Sequence, residues 1–172
     1  MDQIFNIFFP NANSRETYFT IHNIKTAHLY GKGKGVKVGI IDWLFGIDRY
    51  KPLYHGFVDV TNSEPEVLNS AEHGYWMASV LKEIAPECEI HAINACNNVN
   101  PDEELRLGYL EAAIDWAIEN NIDILTYSQA NFSKGNINRR NQAIKKAAEQ
   151  NIITTFIHCD STDNLWPYGC YP

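Results

Sequence analysis

The sequence predicts an α/β domain built on a largely parallel sheet, with helices over both faces. Short apolar runs at 36–41, 57–60, 89–94, 122–127 and 152–157 have the length and β-branched character of buried strands. Segments of helical period fall between them at 73–84, 105–119 and 139–150. Strand and helix in alternation mark parallel strands joined by crossovers. The chain has 172 residues, 45% of them hydrophobic, which is enough to fill one core.

Taken in order, residues 1–22 mix aromatic and polar side chains without a sustained period and read as an N-terminal arm, with Phe5, Phe8 and Phe9 arguing against a free tail. The domain proper is expected over 23–172. A short helix is predicted at 24–30. Gly31-Lys32-Gly33-Lys34-Gly35 is a glycine-punctuated turn into the first strand. It is not a phosphate loop, because such a loop follows a strand and opens a helix. The helix at 73–84 is expected to bury Met77, Val80, Leu81 and Ile84. The next buries Leu110, Ala113, Ile114, Ala117 and Ile118, and the last buries Ala143, Ile144, Ala147 and Ala148 before a capping Asn151. No internal repeat or low-complexity tract interrupts this order.

Charge and composition exclude several partners. A formal net charge of -7, with no Lys/Arg run longer than two residues, repels a phosphate backbone, so nucleic acid is not expected. No apolar run approaches the ~20 residues of a membrane span, so no membrane partner is expected. The first ten residues lack a basic region and a small-residue cleavage site, which points to a cytoplasmic protein. Cys88, Cys96, Cys159 and Cys170 show no CxxC spacing and read as free thiols.

Chemistry in parallel α/β sheets gathers beyond the carboxyl ends of the strands. Asp42, Ser128 and Asp160 fall in such places, and His73 opens a helix. An Asp ending a central strand and a His opening a neighbouring helix can serve as the orienting carboxylate and general base of a serine hydrolase. Singly, each has a plainer reading: Asp after a strand is usually a turn former or cap, and a lone His an ordinary polar residue. Cys159 beside His158 is a weaker nucleophile candidate, because adjacent strand residues face opposite ways. The same alternation scatters Cys88, His91 and Cys96, so no metal site is predicted. Trp43, Trp76, Trp116 and Trp166 read as core or cleft aromatics.

The ordered set resembles the N-terminal part of a subtilisin-like serine protease (subtilase) catalytic domain. Val36-Lys37-Val38-Gly39-Ile40-Ile41-Asp42 looks like the strand ending in the catalytic Asp. His73-Gly74 with Met77-Ala78-Ser79 and Ile84-Ala85-Pro86 looks like the catalytic-His helix and its exit. Residues 112–125 resemble the next helix-strand unit, leading to a substrate-binding edge at Ser128-Gln129-Ala130, and 143–160 the unit delivering the oxyanion residue. The resemblance implies a three-layer fold with its C-terminal part missing, catalytic roles for Asp42 and His73, and an oxyanion position at Asp160. It also implies a peptide or protein substrate and no cofactor, with a structural calcium whose site cannot be assigned.

The sequence also departs from the family. Trp43-Leu44-Phe45-Gly46 replaces the usual Thr/Ser-Gly after the acid, and Tyr75 stands where Thr is usual. The substrate edge reads Ser128-Gln129-Ala130 instead of Ser-Leu-Gly. Asp160 replaces Asn, a change a kexin-like convertase shares, and it serves an oxyanion only when protonated. No Gly-Thr-Ser-Met-Ala segment occurs, and Ser128 and Ser161 do not sit in that context. The chain alone is therefore expected to be inactive, its partner being a missing C-terminal half or another chain. Two functions are implied: a serine endopeptidase, or a pseudoprotease that binds peptide without hydrolysis. Residues 1–20 are expected to lie across the cleft as an inhibitory extension.

Overall fold

The computed structural model describes residues 19–96, 102–128 and 137–156. Five strands, β1 (Lys37–Asp42), β2 (Gly56–Asp59), β3 (Glu89–Asn94), β4 (Ile124–Tyr127) and β5 (Ile153–Phe156), form one sheet in the order β2-β3-β1-β4-β5. Every pairing is parallel. The helices are α1 (Ile24–Ala27), α2 (Pro65–Asn69), α3 (His73–Ile84), α4 (Glu103–Glu119) and α5 (Ile137–Glu149), with a 3-10 turn at Lys51–Leu53.

Period-two alternation divides the core between the two faces of the sheet. Val38, Ile40, Ile90 and Ala92 pack on the side of α3, with Phe45, Ala78 and Cys88. Ile41, Ile93, Leu125 and Tyr127 face α4 and α5, meeting Leu107, Leu110, Ala113, Ile114, Ala143 and Ala147. Beside α3 the cover ends early. Ile153 on β5 is 62% exposed, and Thr155, two residues on, is exposed as well.

The α4 face is the one the helical period predicts, except that Ile118 is only partly buried. On α3 the prediction needs correction. The fully buried positions are Gly74, Ala78, Ser79 and Glu83, while Met77 and Leu81 flank the contact half-buried and Val80 and Ile84 are likewise half-buried. Small residues let the helix approach the sheet closely, so the larger apolar ones are displaced to its margins. On α5 the buried stripe is Arg140, Ala143 and Ala147, and Ala148 is exposed.

Asn151 takes φ 62° and its amide reaches Ala148 O at 2.9 Å, closing α5. In the glycine turn, Gly33 has φ +87° and a Cβ there would lie 2.9 Å from Cys88 Cβ, so the turn and the start of β3 fit only without a side chain. Burial raises the pKa of the Cys88 thiol, which Lys82 and the backbone only partly offset. Cys88 and Cys96 are free thiols; Cys159 and Cys170 lie outside the described residues, as does the arm up to residue 18. No helix among the described residues is long and apolar enough to cross a membrane.

Candidate active site

Asp42 is the last residue of β1, the central strand, in register with Asn94 at the end of β3. It is 1% exposed, and the amide of Trp43 donates to its Oδ1 at 2.8 Å. His73 is the first residue of α3. Its Nδ1 lies 2.8 Å from Oδ2 and 2.9 Å from Oδ1 of Asp42. With the proton on Nδ1 donated to the carboxylate, Nε2 keeps the lone pair that a base requires. The His73 side chain is 37% exposed, so the imidazole bridges a buried charge and the surface. The hydrogen bond to Asp42 raises the pKa of His73, against the lowering effect of burial and with the further help of the Asp42 charge.

The two residues meet because the loop after the acid caps the helix of the base. Glu72, at the N-cap of α3, makes no side-chain capping bond. The orphan amides of the first turn find backbone carbonyls instead. Gly74 N donates to Trp43 O at 2.8 Å, and Glu72 N and Tyr75 N donate to Leu44 O at 2.8 and 3.4 Å. The loop continues beside the segment preceding α3, with a Phe45–Ala71 antiparallel bridge and Gly46 N donating to Ser70 O at 2.8 Å. Gly74 is required by contact: a Cβ there would lie 2.4 Å from Trp43 O and 2.8 Å from the Phe45 ring. Leu44 turns the loop with φ 55°, a left-handed conformation costly for a branched side chain.

A second polar group lies along the same strand ends. Asn94 Nδ2 donates to Asp59 Oδ1 at 2.8 Å and to Thr61 Oγ1 at 3.1 Å. Thr61 N and Oγ1 donate to Asp59 Oδ1 at 3.0 and 2.7 Å, and Ser63 N donates to Asp59 Oδ2 at 2.8 Å. Asp59, Asn94 and Asp42 thus end three adjacent strands in one row. Sequence reasoning did not single out this group, although the Asp59-x-Thr61-x-Ser63 spacing is an Asx-turn signal.

Ser128 directly follows β4, whose last residue Tyr127 is in register with Ile41, so it stands half-buried at the strand end next to Asp42. Gln129, Ala130 and Asp160, together with His158, Cys159 and Ser161, lie outside the described residues. Among the described residues no group of three or more His, Cys, Asp or Glu could hold a metal ion. Cys88, His91 and Cys96 form no such group.

The sheet order and the flanking helices define a subtilisin-like α/β fold. The chain is similar to a lanthipeptide protease (17% identity, TM-score 0.60), matched over 82% of this chain and 42% of that one. It is also similar to MycP1 from Mycobacterium smegmatis (15%, TM-score 0.65; 85% and 46%) and to the PatG macrocyclase in complex with peptide (15%, TM-score 0.55; 87% and 57%). It spans about half the length of these solved structures. No protein-family model and no curated protein matches the chain.

Proposed function

We propose that this chain carries the acid–base half of a subtilisin-like serine endopeptidase. Asp42 holds the His73 tautomer and stabilises the imidazolium. Nε2 of His73 takes the proton of a serine hydroxyl as it attacks a peptide carbonyl, then returns it to the leaving amine. An extended peptide lies along the β4 exit at Ser128, Gln129 and Ala130, and Asp160, when protonated, donates to the oxyanion. The serine comes from a Gly-Thr-Ser-Met-Ala-like segment that this sequence does not contain. The observation that carries the reading is the carboxylate, 1% exposed, within 2.8 Å of a surface-reaching imidazole at the end of the central strand. A lanthipeptide protease, the nisin leader peptidase NisP from Lactococcus lactis and a peptide-bound macrocyclase, all solved with the same fold, support it.

The test is fluorophosphonate labelling of the protein in its longest native form. Labelling of a serine, lost in His73→Ala together with about 10⁴-fold or more of peptidase activity, is the expected result. The 172-residue chain alone should remain unlabelled and cleave no peptide. Labelling of one of its own serines would overturn the assignment of the nucleophile. A second reading, a peptide-binding pseudoprotease, is favoured by Asp160 at the oxyanion position and by the altered edge at Gln129. Peptide binding without labelling in any form would select it.

A further inference from the structure

The first turn of α3 carries an aromatic contact that the acid–base chemistry itself does not use. Tyr75, two residues after His73, stacks on Tyr50 with ring centroids 3.8 Å apart and planes at 21°. Tyr50 closes the loop that begins at Trp43, and its amide donates to Gly46 O at 2.9 Å. The guanidinium of Arg49 lies 5.1 Å from the Tyr50 ring centre. A third phenol, Tyr54, donates to Phe45 O at 2.7 Å and meets the Phe45 ring edge-on. Burial first, then the neighbouring Tyr75 and Tyr50, drives the pKa of Tyr54 far above its usual value, in keeping with one cluster of three phenols.

The joint between loop and helix has need of such a contact. The first turn of α3 has no side-chain cap from Glu72 and is capped by the carbonyls of Trp43 and Leu44, and Leu44 holds its left-handed conformation against a steric cost. Those capping bonds persist only while the loop stays against the helix. The Tyr50–Tyr75 stack ties the far end of the loop to the turn that bears the imidazole. Stacked aromatic pairs contribute beyond the area they bury, and they fix relative orientation as aliphatic contacts do not.

We propose that the Tyr50–Tyr75 stack is a positioning device, clasping the loop after the acid to the helix of the base and so keeping His73 Nδ1 on the Asp42 carboxylate. It takes over the place where the subtilase pattern has a small hydroxyl residue after His-Gly. The proposal rests on reading Asp42 and His73 as an acid–base pair, and its test reads the pair itself, not hydrolysis.

His73 is titrated by NMR in the full chain and in Tyr75→Leu, Tyr50→Leu and Tyr75→Phe. In both leucine variants the imidazole midpoint should fall toward that of an unpaired histidine. Amide exchange at positions 74 and 75 should quicken by about tenfold or more, with β3 amides unchanged. Tyr75→Phe keeps the ring and should match the wild type. If Tyr75→Leu does not fold, Tyr50→Leu carries the test with α3 intact. An unchanged midpoint in a folded leucine variant overturns the proposal, and so does an equal fall in Tyr75→Phe. Absence of peptidase activity in any native form would count against the protease reading and leave these titrations as the judge of the clasp.

Discussion

At His73, one proton has opposite effects on stability and on the proposed chemistry. The Asp42 hydrogen bond raises the pKa of the folded imidazole above its ordinary value of 6.5, so the folded state holds the proton more tightly than the unfolded chain does. That stabilisation is fully present below the unfolded value and is lost as pH rises through the folded one. General-base action needs the neutral ring and increases over the same interval. Thermal melts of the wild type and His73→Ala should therefore differ most on the acid side of 6.5 and converge above the folded value. A gap that widened with rising pH would contradict the raised pKa. The proximity of residues 42 and 73 was legible only through the resemblance of the ordered motifs that carry them, since an Asp after a strand or a His opening a helix has a plainer reading by itself. The stack of Tyr75 on Tyr50 was not, since nothing in a linear pattern tells which of several nearby tyrosines will face one another.

At the level of elements, one buried side-chain amide, that of Asn94, adds to the backbone pairing at the end of β2 and β3. Burial works to raise the pKa of the Asp59 carboxyl, but hydrogen bonds from Asn94, Thr61 and Ser63 outweigh it and hold the group below its ordinary value. The resulting stabilisation exists above the unfolded carboxylate pKa and disappears as pH falls through the folded one. Asn94→Ala removes the side-chain donor that spans the two strands and should cost about 1–3 kcal/mol at neutral pH. Acid unfolding followed by circular dichroism should then begin at a higher pH than in the wild type; an unmoved acid midpoint would show that Thr61 and Ser63 suffice. The strands were readable because buried parallel strands are continuous apolar runs, and β3 falls at the predicted residues. The face of α3 was misjudged for a physical reason. Hydrophobic period marks where large side chains recur, whereas the buried face of this helix is Gly74, Ala78, Ser79 and Glu83, with Ala78 in the cluster on the sheet and Gly74 against the loop after Asp42. The five-residue α2 is too short to display a period at all.

For the whole molecule, β5 is an edge strand among the described residues, with Ile153 exposed on the α3 side of the sheet, past the end of that helix's cover. Exposed apolar edge strands favour pairing between chains. Sedimentation of the 172-residue chain should show self-association that rises with concentration and is reduced in Ile153→Lys. Equal association in both would place the contact elsewhere. The central position of β1 has a further consequence, for the order of folding. Its neighbours are β3, where Lys37 faces Glu89, and β4, where Val38 faces Ile124, so no hairpin or local contact can start the sheet from this strand. Loop closure must come before any reward from pairing, which makes such topologies slow to form. On a ribosome, Asp42 emerges well before the strands that will bury it, and its carboxylate stays hydrated until the chain beyond residue 124 can close around it.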